Sequence, residues 1–261
     1  STTEALVKEL KHAEIIMLPK VGHGFSVEKN WMPQFKQAFA KIFEQPEREV
    51  PQTIGPVQDL PLVEVPAKES GKATLAVHLT GDGGWGVTDK GISQALAAEG
   101  IPVVALNSLK YFWKRRTPEE AAKDFERILR HYLTVWKKDS IAAIGYSLGA
   151  DVLPFMINRL PEDLRSKIRS VTLLGPSKKV EFEFHLTDWL GGQPGKDALP
   201  VLPEVKKLYG IPLLCFYGVD DTTCLCHDLD GSQVKVISLP SGHRFGRNFQ
   251  AIAEAILKDL R

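Results

Sequence analysis

Residues 145–149 read Gly-Tyr-Ser-Leu-Gly, a G-x-S-x-G pattern in which Ser147 could act as a nucleophile. Glycine and serine are common, so the pattern takes its meaning from its flanks. A β-like run, SIAAI, leads in and a helical run, ADVLPFMINRL, leads out. That is the strand–turn–helix setting a nucleophile elbow requires. Such a turn is sharp and leaves no room for side chains beside the serine, which explains Gly145 and Gly149. The hydroxyl then projects at a helix N-terminus, where the dipole favours developing negative charge. The plainer reading is a glycine-flanked serine capping a helix.

A serine hydroxyl needs a general base, and in this setting the partners follow in the order Ser…Asp/Glu…His. After the apolar run IPLLCFY come Gly218-Val219-Asp220-Asp221, and after QVKVIS come Leu239-Pro240-Ser241-Gly242-His243. Both groups stand just past a strand's C-terminal end, where ligands and catalytic groups of open α/β sheets collect. His243 is the candidate base. Asp221 is the favoured acid, because the acid of this fold commonly reads G-x-x-D after that strand; Asp220 remains its competitor. The acid holds the imidazole tautomer and stabilises the imidazolium. Among the other histidines, His131 falls in an amphipathic helix and His227 in a loop without an evident partner.

An oxyanion hole needs two backbone N–H donors, one from the residue after the nucleophile and one from a loop after an early strand. Leu148 is the first candidate. The second is Asp82, in the loop Thr80-Gly81-Asp82-Gly83-Gly84-Trp85-Gly86, whose glycines let backbone approach a substrate. Gly81, Gly83, Trp85, Tyr146 and Trp113 are the candidate substrate contacts. The loop lacks the Lys-Ser/Thr of a phosphate-binding P-loop and is no dinucleotide fingerprint, so no cofactor is expected. Residues 109–116, LKYFWKRR, interleave aromatics with cations. They suit an anionic lipid surface, or the aromatics pack the loop while the cations face water.

Positioning these groups requires a particular architecture. Apolar β-rich runs at 73–79, 102–106, 140–144, 170–174, 211–217 and 233–238 alternate with helical stretches at 88–99, 118–136, 149–159 and 246–259. Short continuous apolar strands alternating with helices predict a mostly parallel, doubly wound sheet. With the elbow, that is the α/β-hydrolase fold. Thr117-Pro118-Glu119-Glu120 is a strong helix start. Residues 175–203 interrupt the alternation as an insertion.

The 261 residues are 43% hydrophobic and 25% charged, the balance of a soluble globular domain. A net charge of +1 gives no global field toward nucleic acid, and no nucleic-acid partner is expected. No apolar run approaches the roughly 18–20 residues that span a bilayer, and the N-terminus carries no signal-peptide pattern. Cys215 reads as a buried thiol in an apolar strand. Cys224 and Cys226 read as a loop disulfide or as two free thiols; the spacing does not suit zinc, and no metal is expected.

Residues 14–43 and 234–258 repeat one module: strand, Leu-Pro, Gly-His-x-Phe, amphipathic helix. Residues 1–45 are therefore expected to be the remnant of a preceding related domain, with His23 the inert counterpart of His243. Residues 46–60, with Pro46, Pro51 and Pro56, form a linker, and the catalytic domain covers 61–261. Proline is tolerated in an edge strand, and LPLVEV is a candidate for one.

The motifs TGDGGW, SLKYFWKRRTPEE, GYSLGADVLPF, YGVDD and LPSGHRF, in this order, resemble the VirJ/AcvB family of bacterial virulence-associated proteins over about residues 60–261. The resemblance implies a periplasmic location and the hydrolysis of aminoacyl-phosphatidylglycerol, with an anionic phospholipid substrate at the membrane surface. For VirJ-like members it implies type IV secretion components as partners, so an adaptor role stands as the alternative, as does a generic soluble esterase. It assigns Ser147, Asp221 or Asp220, and His243 to the triad. AcvB-type members resemble two VirJ-like halves in tandem, which fits the repeated module.

Overall fold

Alternating apolar strands and amphipathic helices condense here into one sheet with a helical layer on each face. The computed structural model describes residues 15–18, 21, 30–35, 37–38, 56–67, 72–184 and 197–260. The chain divides into two compact units, residues 1–50 and 51–261. In the first, residues 32–35 and 37–38 are helical. Most of the first copy of the repeated module, including His23, lies outside the described residues, as do residues 46–55 of the linker.

The second unit carries β1 (Leu62–Val65), β2 (Thr74–Leu79), α1 (Val87–Ala98), β3 (Val103–Leu106), α2 (Ser108–Tyr111), α3 (Pro118–Val135) and β4 (Ser140–Tyr146). There follow α4 (Leu148–Ile157), α5 (Glu162–Arg165), β5 (Ile168–Leu174), β6 (Lys179–Val180), β7 (Leu199–Pro200) and α6 (Leu202–Lys206). The unit closes with β8 (Leu213–Gly218), β9 (Lys235–Leu239) and α7 (Phe249–Asp259). The main sheet has the order β1-β3-β2-β4-β5-β8-β9. All its pairings are parallel except β1 with β3, where Val63 faces Ala105. The proline-flanked LPLVEV segment thus forms an edge strand, where missing donors face no partner.

The central strands bury both faces, as continuous apolar runs must. On one face Phe125, Ile128 and Leu129 of α3 and Val152 and Met156 of α4 pack on Val77, Ala143 and Val171. On the other, Ile92 and Leu96 of α1 and Ile252 and Ile256 of α7 cover Ala76, Ile144 and Leu214. Helix α3 begins where its sequence signals: Thr117 Oγ1 accepts the Glu120 N–H at 3.1 Å, and Glu120 Oε2 accepts the Thr117 N–H at 2.8 Å. Losing such a cap costs about 1 kcal/mol.

Three features depart from the sequence expectations. The insertion contains a short antiparallel pair, β6 with β7, while its residues 185–196 lie outside the described residues. The last helix starts at Phe249 rather than 246, because residues 245–247 form a short turn of their own. Cys215 is not a free buried thiol: it forms a disulfide with Cys226, and Cys224 is the free, buried one. Folding brings the loop after β8 back over its own strand, a proximity that spacing along the chain does not reveal.

Candidate active site

Strand β4 delivers Ser147 to a turn in which its backbone adopts φ 52° and ψ −120°. A non-glycine residue held there costs on the order of 1–3 kcal/mol, so the surroundings must enforce it. They do so by crowding: a Cβ at position 145 would strike the Gly149 carbonyl, and one at 149 would strike the Leu79 carbonyl. The Ser147 N–H donates to the Leu174 carbonyl at 2.8 Å, tying the turn to the end of β5. Leu148 opens α4, so its N–H has no acceptor within the helix.

Histidine 243 lies in the loop after β9. Its ring rests on Gly175, the residue after Leu174, and beside the Tyr146 ring at 5.5 Å between centroids. The Tyr146 hydroxyl donates to the His243 carbonyl at 3.3 Å. Gly218 at the end of β8 abuts the carbonyls of Ser241 and Gly242, so the acid and histidine loops are in backbone contact. Asp221 Oδ2 lies 3.4 Å from His243 Nδ1, a long contact of the kind that tightens once substrate is bound. Asp220 is exposed and makes no hydrogen bond or ion pair among the described residues.

The Asp221 carboxylate is oriented by its own loop. Its Oδ1 accepts the Thr223 N–H at 3.2 Å and the Thr223 hydroxyl at 3.0 Å. Partial burial pushes the carboxyl up, but the hydrogen bonds from Thr223 and His243 outweigh it and hold the group below the ordinary carboxylate range. His227 Nε2 meets the Asp221 carbonyl at 2.9 Å, so this histidine steadies the acid's backbone. The Cys215–Cys226 disulfide closes the same loop.

The glycine loop after β2 approaches Ser147 closely: a Cβ on Gly81 would lie 3.4 Å from Ser147 Cβ and 3.1 Å from the Tyr146 ring. Its shape is held by Asp89, in the first turn of α1, which accepts the Gly81 N–H at 3.2 Å and the Gly86 N–H at 3.3 Å. Behind Asp89 lies His78, fully buried, with Nδ1 at 3.0 Å from Ser93 Oγ and Nε2 at 3.5 Å from Asp89 Oδ1. Burial raises Asp89 to about 7 and lowers His78 to about 3. A second buried acid, Asp151 in the first turn of α4, accepts the Ser177 N–H at 2.6 Å and fixes the loop after β5. Burial raises it well above the usual carboxylate range.

Beside these groups runs a cleft of about 600 Å³, walled by Gly81, Asp82, Gly83, Tyr146 and His243 together with Arg244 and Arg247. Ser147, Leu148, Asp221, Trp85 and Trp113 are not on this wall; Trp113 stacks on Phe184 at 5.6 Å. Among the described residues no group of three or more His, Cys, Asp or Glu gathers to hold a metal, and no helix is long and apolar enough to cross a membrane. Asp89, His78, Gly175 and His227 were not singled out as site residues by the sequence. Gly175 owes its role to a contact with a segment far along the chain, His243, whereas Asp89, His78 and His227 owe theirs to the way neighbouring loops and strands fold on one another.

Residues 73–261 match the family described as VirJ, bacterial virulence protein. No curated protein matches the chain. Among solved structures it is similar to Est1E from Butyrivibrio proteoclasticus, with 12% identity and a TM-score of 0.56 over 76% of this chain and 93% of that one. It is also similar to an alpha-beta serine hydrolase homologue from Coxiella burnetii, with 16% identity and a TM-score of 0.55 over 82% and 98%. The Pyrococcus furiosus esterase Pf2001 has 16% identity and a TM-score of 0.52 over 82% and 95%. These likenesses establish the α/β-hydrolase fold.

Proposed function

The chain belongs to the VirJ family of bacterial virulence proteins, and from that membership and the site geometry we propose that it is a serine esterase. Its substrate in this reading is the aminoacyl ester of aminoacyl-phosphatidylglycerol, lysyl or alanyl. The observations that carry the esterase reading are the strained elbow at Ser147 and a histidine whose Nδ1 faces Asp221 and whose ring lies 5.5 Å from that of Tyr146, the residue before the serine. The substrate is drawn from the resemblance of the ordered motifs to AcvB-type members.

The chemistry then runs as acyl transfer. Ser147 Oγ attacks the aminoacyl carbonyl while His243 takes its proton. Negative charge on the carbonyl oxygen falls between the N–H groups of Leu148 and Asp82. The C–O bond to the glycerol breaks as the imidazolium returns the proton to the departing oxygen, releasing phosphatidylglycerol. Water, deprotonated by His243, attacks the aminoacyl-enzyme and frees the amino acid, with the proton returning to Ser147. We place the reaction in the periplasm; the Cys215–Cys226 disulfide supports an oxidising compartment.

Incubation with lysyl- and alanyl-phosphatidylglycerol tests the proposal. The wild type is expected to release free amino acid, and Ser147→Ala to lose at least ~10³-fold of that rate. Equal turnover by both proteins would sink the mechanism. Fluorophosphonate labelling separates the adaptor alternative: a folded protein whose Ser147 does not react is no serine hydrolase. The generic esterase alternative, favoured by the likeness to the Pyrococcus furiosus esterase, requires small soluble esters to be cleaved as well as lipid esters or better.

A further inference from the structure

The direction of proton transfer fixes where the alcohol half of an ester must lie. The general acid returns its proton to the departing oxygen, so the leaving group sits against the histidine. The space against His243 is the 600 Å³ cleft, and its wall beyond the histidine is made by Arg244 and Arg247. Neither side chain makes a hydrogen bond or ion pair with any described residue. The contrast with other arginines is plain: Arg127 holds Asp59 and Asp124, Arg130 holds Glu126 and Asp163, and Arg165 holds Asn158 and the Lys207 carbonyl.

Both side chains are exposed, and the backbone that carries them is fixed. Phe245, between them, is fully buried and anchors the loop to the core. Phe245, Gly246 and Arg247 take φ of 53°, 57° and 61°, three consecutive residues in the left-handed region, two of them not glycine. That conformation is costly for L-residues, and here it sets the arginines on the wall of the cleft beside His243. Across the cleft stand Asp82 and the Asp89 carboxyl, the latter engaged with the Gly81 and Gly86 N–H groups. Planar guanidinium forks match phosphate oxygens in a bidentate manner that a carbonyl or hydroxyl does not.

We infer that Arg244 and Arg247 form a subsite for a phosphate group carried by the leaving alcohol. Its position depends on the esterase reading above, while the phosphate chemistry depends only on the arginines and the cleft. The phosphate could belong to a lipid headgroup or to a soluble phosphodiester, and binding distinguishes the two. In the Ser147→Ala background, calorimetric titration with glycerophosphoglycerol and cosedimentation with phosphatidylglycerol vesicles are each compared with and without Arg244→Gln/Arg247→Gln. At least a tenfold weaker Kd in the double variant, for either ligand, supports the subsite. Binding to vesicles alone marks a lipid source, and binding of both marks the headgroup. Affinity unchanged by the substitutions for both ligands overturns the inference.

Catalysis gives the independent arm. For the otherwise wild-type enzyme, kcat/KM is measured on an aminoacyl ester of glycerophosphoglycerol and on the same aminoacyl ester of glycerol. The ratio of the two should fall at least tenfold in the double glutamine variant and recover in part with Arg244→Lys/Arg247→Lys. A ratio that does not move overturns the subsite while leaving the esterase intact. Arginine-dependent binding of glycerophosphoglycerol without cleavage of either ester would sustain the subsite and remove the esterase.

Discussion

The imidazole of His243 rests on Gly175: a Cβ at position 175 would lie 2.7 Å from His243 Cε1 and 2.9 Å from Nδ1. No alanine fits there without moving the imidazole, and the φ of +62° at Gly175 disfavours one in any case. Gly175→Ala is therefore expected to lower kcat on an activated ester by at least ~100-fold, because a misplacement of about 1 Å has that effect on a positioned group. Circular dichroism would verify that the variant folds. Near wild-type kcat would mean that the histidine works from another position.

Asp221 and Asp220 separate cleanly. Replacing the acid that orients a triad histidine lowers kcat by roughly 10⁴-fold, through the wrong tautomer. We expect Asp221→Asn to approach that loss and Asp220→Asn to stay within about threefold of wild type, as surface changes do. Steady-state kinetics of the two variants on one ester settle the assignment, and the reverse ranking would transfer the role to Asp220.

The Cys215–Cys226 disulfide closes a loop with a sequence separation of 11 that contains Asp221. By chain-entropy arguments a link of this size stabilises by about 3 kcal/mol. Cys226→Ser, or reduction of the wild type, should lower the urea unfolding free energy by about that amount and depress kcat together with it. An unchanged urea midpoint in dithiothreitol, with thiol titration showing full reduction, would contradict this.

Asp89 and His78 oppose each other as pH changes. Asp89 rises from 3.8 to about 7 on burial, so between those values the folded chain keeps a proton that the unfolded chain loses, and stability falls as pH rises. His78 drops from 6.5 to about 3, so the folded chain refuses a proton that the unfolded chain takes, and stability falls as pH falls. Across the shared window, about pH 4 to 6.5, the two slopes cancel. Asp89→Asn removes the first of these slopes: relative to the wild type, its unfolding free energy should climb with pH across that window, the gap between the two profiles growing by up to about 1.4 kcal/mol per unit. Urea titrations in half-unit pH steps would show it, and parallel profiles would refute it.

Strands and helices were legible because the apolar runs are continuous and the helices amphipathic: six of the seven sheet strands fall within two or three residues of the runs at 73–79 through 233–238, and the seventh is the LPLVEV edge. Ser147 and His243 were legible from their places after β4 and β9. What the sequence withheld depends on how loops fold back on the elements beside them. Cys215 meets Cys226 because a loop folds back on its strand, and Asp89 reaches Gly81 because α1 starts beneath the glycine loop. Helix α2 overlaps the start of the aromatic and basic run at 109–116, and Asn107 caps it by accepting the Lys110 N–H at 3.1 Å.

The order β1-β3-β2-β4-β5-β8-β9 places the proposed nucleophile and the proposed base on very different ground. Ser147 follows β4, in the middle of the sheet, whereas His243 follows β9, whose outer side has no neighbouring strand among the described residues and whose residues are mostly exposed. Rim strands open before central ones. Warming or mild denaturant should thus disarm the molecule before unfolding it: amide exchange along β9 would outpace that along β4, and lost turnover would return on cooling, with the serine still seated in an intact centre.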